Sequence, residues 1–184
     1  MKSLITERLE LRDAAPAEFD AIYHVLVADI EGPAFTEAHF TPEFQFDQSL
    51  SFQGLGQSFG RPCIFLRAGG EYIGYCLLMP RLCWPDEMAL IDATKQDSSR
   101  HASIEAEMGW AISERHRGKG YATEAARALT DYGFNELHLP RIVAFTEDDN
   151  LPSRRVMEKL GMALHVNAAT HSVIAWLENK NPSK

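Results

Sequence analysis

Arg115, His116, Arg117, Gly118, Lys119 and Gly120 stand directly ahead of a helix-like run, Tyr121 to Asn135. The first N–H groups of a helix have no partner inside it, and the helix dipole adds positive potential at the same end. Glycines let the backbone approach a ligand closely and take up positive φ, and three cations in five residues reverse the local sign of a chain whose formal net charge is −8. Such a segment is suited to cradling an anion, and a phosphorylated ligand is the natural occupant. Taken alone, glycine-x-glycine before a helix reads equally well as a tight, solvent-facing basic turn. The flanking elements decide between the two.

Downstream, Ala122, Ala125, Ala126, Leu129 and Tyr132 recur at helical spacing, with Glu124, Arg127 and Asp131 between them. That gives a narrow face of small residues able to pack closely on a sheet. Upstream, Ile104, Ala106, Met108 and Trp110 alternate with Glu105, Glu107 and Gly109, the pattern of a half-buried strand with both carboxylates on one face. With a second strand at Arg141 to Phe145, these form one βαβ-like unit. It carries the cradle at the carboxyl end of its first strand, where ligands of α/β sheets gather.

Arg115-x-x-Gly118-x-Gly120 followed by Tyr-Ala-Thr-Glu-Ala resembles the acetyl-coenzyme A pyrophosphate loop of the GNAT superfamily of N-acetyltransferases. Thr6-Glu7-Arg8-Leu9-Glu10-Leu11-Arg12 resembles the opening strand of its RimJ/RimL-like branch, the ribosomal-protein N-terminal acetyltransferase group, and Glu107-Met108-Gly109-Trp110 resembles that branch's fourth strand. Asn150-x-x-Ser153 leading to Glu158-Lys159-Leu160-Gly161-Met162 resembles its last helix and the strand that follows. The likeness covers nearly the whole chain and is weakest at Asp29 to Gly60 and Arg81 to Ala102. It implies an α/β fold with a mixed, mostly antiparallel central sheet of six to seven strands flanked by about four helices, and it implies acetyl-CoA as acetyl donor.

Length and composition agree. A chain of 184 residues is expected to form one domain, residues 1–184, with a tail at 178–184, and buries roughly 70% of its unfolded surface. No membrane segment stands out, and Glu7, Arg8, Glu10 and Arg12 interrupt any signal-peptide core, so a cytoplasmic protein is expected. Cys63, Cys76 and Cys83 are odd in number and form no Cys-x-x-Cys pair, which disfavours a disulfide framework or a zinc site. The seven histidines show no metal-ligand spacing, and His101 and His116 read as surface or substrate-lip residues. The acidic balance disfavours nucleic acid as a partner. A monomer or a homodimer fits equally well.

Along the chain, Leu4 to Arg12 is expected as a first strand and Pro16 to Ala28 as a first helix. Phe35, Phe40, Phe44 and Phe46 suggest core or a pocket lid, with a second helical piece from about Pro42 or Phe44 to Phe52. Cys63 to Arg67 and Tyr72 to Met79 read as a hairpin turning at Ala68-Gly69-Gly70-Glu71. Arg81 to Ala102, with Pro85, Asp86, Asp92, Asp97, Ser98 and Ser99, reads as a long loop whose acidic residues, Glu87 included, suit a polyamine or a basic N-terminus, although charges in a loop most often simply face solvent. Gly161 fits a helix stop, and Ala163 to Val166 with Ser172 to Leu177 a last hairpin.

The resemblance also assigns roles. Backbone groups of Arg115, His116, Arg117, Gly118, Lys119, Gly120, Tyr121 and Ala122 would hold the pyrophosphate, while Trp110, Ala111 and Ile112 would pair with the pantetheine arm and offer an N–H to the acetyl oxygen. Glu107 would take the ammonium proton, with Glu105 two residues away as the competing base. Asn150 would touch the cofactor or merely cap its helix. Many relatives place a tyrosine where this chain has Met157, and a thioether cannot donate a proton, so Ser153 is the candidate donor to the departing sulfur. Cys83 lacks a neighbouring base and makes a poor nucleophile. The functions left standing are an N-acetyltransferase acting on a primary amine, either a protein N-terminus or a small molecule, and a catalytically weak acetyl-CoA sensor of the same fold. A nucleotide-dependent enzyme is disfavoured by the absence of either nucleotide-loop pattern.

Overall fold

The computed structural model describes residues 2–30, 59–91 and 102–180. Within them the N-terminal run does not continue as one strand. The Thr6 hydroxyl accepts from Leu9 N–H at 2.9 Å while Thr6 N–H donates to Leu9 O at 2.9 Å, so a threonine side chain that competes for backbone partners folds the run into a turn. The result is β1 (Leu4–Ile5) antiparallel to β2 (Leu9–Arg12). The other strands are β3 (Cys63–Leu66), β4 (Tyr72–Cys83), β5 (Ser103–Ile112), β6 (Arg141–Glu147), β7 (Ala163–Asn167) and β8 (Ser172–Glu178). The helices are α1 (Phe19–Val25), α2 (Pro85–Ile91), α3 (Tyr121–Asn135) and α4 (Leu151–Leu160). Hydrogen bonding orders the strands β1-β2-β3-β4-β5-β6-β8-β7, a mixed, mostly antiparallel sheet in which β5 and β6 are parallel. Eight strands among the described residues, against the six to seven expected, follow in part from the split at Thr6.

Packing groups the chain into two compact units, Met1–Leu78 with Gly109–Leu129 and Met79–Met108 with Thr130–Lys184. In the first, Leu9 and Leu11 alternate inward from β2, and Ile22 and Leu26 pack with Cys63, Phe65 and Tyr72. The expected helix from Pro16 to Ala28 is three pieces: a 3-10 turn at Pro16–Glu18, α1, and a π-helical turn at Leu26–Ile30. Glu18 reaches back to Ala15 N–H at 2.7 Å and is bound by Arg12, whose guanidinium holds its carboxyl down at about 2. The hairpin turn between β3 and β4 forms as expected, with Gly69 and Gly70 at φ 95° and 70°. Gly74 is required by space: a Cβ there would lie 2.1 Å from Ala111 O.

In the second unit, β6 pairs antiparallel with β8 from Arg141↔Glu178 to Glu147↔Ser172, and β7 covers the far side of β8. The stretch expected as a loop from Arg81 contains the end of β4 and all of α2. Pro85 suits a first helical turn, Glu87 accepts from Trp84 N–H at 2.8 Å, and Met88 and Ile91 turn inward against Cys83, Val143 and Ile174. Glu178, expected in a tail, closes β8, and Asn179 ties to Pro140 O and Leu139 O. The remaining expectations from this region and from the aromatic stretch, namely Phe35, Phe40, Phe44, Phe46, the helical piece to Phe52, Asp92, Asp97, Ser98, Ser99 and His101, lie outside the described residues. α3 has its expected bounds and keeps Ala125, Ala126 and Leu129 fully buried.

Arg141 and Glu105 form a buried pair, Nη2 to Oε1 at 2.8 Å and Nε to Oε2 at 3.1 Å. Two charges taken from water need each other more than the fold needs either. Arg141→Met is therefore expected to destabilise the protein by about 3–5 kcal/mol, because it strands a buried carboxylate. The double variant Arg141→Met/Glu105→Met should recover most of that loss in urea unfolding; a double variant no better than the single one would refute this account.

Candidate functional site

β5 ends at Ile112, and the chain turns through residues 113–120 into α3. Ser113 anchors the exit: its N–H donates to Ile73 O at 2.8 Å and its hydroxyl meets His116 Nδ1 at 2.8 Å. His116 is consequently buried, with its ring beside Tyr121, and is neither the surface nor the lip residue expected. Gly118 and Gly120 take φ 74° and 84°, both left-handed. Glu124 N–H donates to Gly120 O at 3.0 Å, so intrahelical pairing starts there and the amides just ahead of it have no intrahelical acceptor.

Two of the loop cations are engaged by the protein itself. Arg117 Nε donates to Ile112 O at 3.0 Å and its Nη2 to Asp29 O at 3.3 Å, stitching the loop to its own strand and to the turn after α1. Arg115 reaches Asp29 Oδ2 at 3.1 Å while its side chain remains 67% exposed. Lys119 is exposed.

The sequence reading missed what braces this loop. Glu124, in the first turn of α3, accepts from the Thr6 hydroxyl at 2.6 Å, Arg8 N–H at 2.9 Å and Arg8 Nε at 2.7 Å. Burial pushes the Glu124 carboxyl up, but these donors outweigh it and hold it below the usual range. Arg8 also donates from Nη1 to Lys119 O at 3.0 Å and lies over the Tyr121 ring. An acidic residue early in the helix and an arginine in the opening motif were both visible. Nothing local paired them.

In the second unit the two candidate carboxylates have different surroundings. Glu105 is closed off by Arg141. Glu107 is half-buried, with Arg81 Nε at 3.6 Å, and its pKa is raised because burial and the nearby Glu87 outweigh the Arg81 charge. Arg81 stacks on Phe145 with its guanidinium carbon 3.3 Å from the ring centre and donates to Glu87 at 3.0 Å, so Glu87 is engaged internally and is not a loose acidic lure. Its Nη1 is buried with no hydrogen-bond partner among the described residues. The alternating pattern of β5 fails at two neighbouring positions: Ile104 is 73% exposed and Glu105 is buried.

Asn150 Oδ1 accepts from Ser153 N–H at 3.2 Å, which makes Asn150 the N-cap of α4, and Gly161 closes that helix at φ 79°. The Ser153 side chain is half-buried, Arg154 is tied to Asp148 O, and Met157 is core at 1% exposure. The three cysteines are free and buried; burial pushes Cys63 up to about 12, Cys83 up to about 11 and Cys76 higher. Among the described residues no helix is long and apolar enough to cross a membrane.

Residues 8–163 match the family model described as an acetyltransferase (GNAT) domain. The uncharacterized N-acetyltransferase p20 of Bacillus licheniformis is 32% identical over 170 residues, covering 87% of this chain and 82% of that protein. Two Bacillus subtilis relatives match over shorter stretches, and the chain spans only 33% and 44% of their lengths. Among solved structures, an acetyltransferase from Agrobacterium tumefaciens superposes with a TM-score of 0.69 at 29% identity, over 97% of this chain and 95% of that one. RimL, a ribosomal L7/L12 alpha-N-protein acetyltransferase solved with coenzyme A, superposes with a TM-score of 0.68 over 96% of this chain and 98% of that one. At 17% identity this is a likeness of fold.

Proposed function

The chain belongs to the GNAT acetyltransferase family, and on that premise we propose that it transfers an acetyl group from acetyl-CoA directly to a primary amine, on a protein N-terminus or a small molecule. The observation that carries this reading is the braced left-handed Gly118/Gly120 turn opening α3 at the end of β5. Its residues fit a pyrophosphate: first-turn amides with no acceptor inside the helix, glycines that allow close approach, and cations at Arg115 and Lys119. In this reading Arg115 to Ala122 hold the pyrophosphate, Trp110 to Ile112 align the pantetheine arm and aim an N–H at the acetyl oxygen, and Asn150 keeps Ser153 in place by capping α4. Acetyl-CoA supplies the acetyl group as a thioester.

Glu107 then accepts the ammonium proton, directly or through water, so that a neutral amine attacks. Its pKa is raised, chiefly by burial, which suits a proton acceptor, and Arg81 opposes that rise from 3.6 Å. Glu105 is unsuited, since protonating it would break the buried pair with Arg141. At the leaving sulfur a free thiol has a pKa of roughly 8.5, so one hydrogen bond from Ser153 is sufficient help near neutral pH. Met157 supports no donor role there. Its burial also means that a tyrosine in its place would have to repack the core.

Release of free thiol from acetyl-CoA with a panel of amines tests the activity. Hydrolysis-level release with every amine, alongside tight coenzyme A binding, would instead indicate a sensor. Valine at a left-handed position costs roughly 1–2 kcal/mol or more, so Gly118→Val and Gly120→Val should each weaken coenzyme A binding by about tenfold or more with the far-UV spectrum intact. Unchanged affinity in both would remove the basis for this site.

Glu107→Gln is expected to lower turnover with little change in coenzyme A affinity. The deficit should shrink as pH rises from 7 to 9.5, because the amine then loses its proton to solvent; an equal deficit at both pH values would make Glu107 structural. Ser153→Ala should raise the barrier by about 1–2 kcal/mol without abolishing activity. Full activity at saturating acetyl-CoA would return Ser153 to the role of a helix-surface residue.

A further inference from the structure

We propose that Arg8, acting with Thr6 and Glu124, is a positioning element for the pyrophosphate loop: a bracket from the N-terminal turn that sets the Lys119–Gly120 peptide in its binding orientation before coenzyme A arrives. This deepens the acetyl-CoA reading above and rests on it. A single guanidinium spans two parts of the loop, with Nε and Nη2 on Glu124 at 2.7 and 2.6 Å and Nη1 on Lys119 O at 3.0 Å. Because a trans peptide is planar, its C=O and N–H point in opposite directions. Holding the Lys119 carbonyl against Arg8 therefore aims the Gly120 N–H away from the bracket. Gly118 and Gly120 impose no such choice themselves, since glycine moves freely between conformations.

The bracket is itself fixed. The Thr6–Leu9 turn is closed by its own hydrogen bonds, Arg67 Nη1 donates to Thr6 O at 2.9 Å and Glu7 O at 3.1 Å, and Arg67 N–H donates to Arg8 O at 3.0 Å. Tyr121 stacks under the guanidinium at 4.5 Å, and the Gly120 Cβ position lies 3.5 Å from Nη2, so the guanidinium packs directly beside the turn. Glu124 neutralises the arginine. Arg8 accordingly contributes shape, not charge, to anion binding, and the distinction is measurable because lysine keeps the charge but cannot fork between Glu124 and Lys119 O.

Coenzyme A titrations by calorimetry on the full chain, with wild type, Arg8→Ala, Arg8→Lys and Glu124→Gln, test the proposal. Arg8→Ala and Arg8→Lys should both weaken binding by roughly tenfold, the loss of a charge-assisted hydrogen bond, while KM for the amine stays unchanged. Amide exchange at Lys119, Gly120 and Tyr121 should quicken in the ligand-free variants. Wild-type affinity in Arg8→Ala, full rescue by Arg8→Lys, or unaltered exchange at these amides would overturn the bracket. Should Arg8→Ala fail to fold, Arg8→Lys and Glu124→Gln carry the same comparison. A wild-type protein that binds no coenzyme A would defeat the acetyl-CoA reading and the bracket together; normal binding in all four proteins would defeat the bracket alone.

Discussion

Between the last residue of β5 and the first of α3, the backbone passes twice through the left-handed region, at Gly118 and Gly120. A side chain in that region costs roughly 1–2 kcal/mol, and a turn made affordable only by glycine is also one that glycine alone cannot hold still. Its surroundings supply the rigidity. Ser113 and His116 lock the exit from the strand, Arg117 ties the loop to Ile112 O, Asp29 receives Arg115, and Thr6 and Arg8 hold Glu124 in the first turn of the helix. The polar side chains named here thus serve the conformation of the loop.

The second organising fact is how one strand face divides two carboxylates. Glu105 and Glu107 share a face of β5 by strand period, yet one is sealed by a two-pronged guanidinium and the other has a cation only at 3.6 Å. Full pairing makes a carboxylate structural. Glu107 is only half-buried, and its neighbour Arg81 is stacked on Phe145.

What the sequence disclosed was whatever is written locally. The start of α3 follows from the Gly118-x-Gly120 turn ahead of a small-residue face, the cap at Asn150 from its neighbours, the end of α4 from Gly161, and the Gly69-Gly70 turn from the conformation that glycine allows. α2 was hidden by composition, since Pro85, Asp86 and Glu87 serve a loop or a first helical turn equally well, and only the inward spacing of Met88 and Ile91 separates the two. Thr6 hid the break in the first strand in the same way. The contacts that give the site its character were not legible, because they join distant positions: Arg8 to Glu124 across 116 residues, and Arg141 to Glu105 across 36. No periodicity carries such pairings.

The buried thiols have a practical corollary. Burial raises all three thiols well above their ordinary range, so few are thiolates near neutral pH, and each is shielded as well. A chromogenic disulfide added to the native protein would find little of the protein to react with, so colour developing in an activity assay would report thiol released from the substrate. Under denaturant the same reagent would report the opposite event, the moment Cys63, Cys76 and Cys83 leave the core, without any label having been introduced.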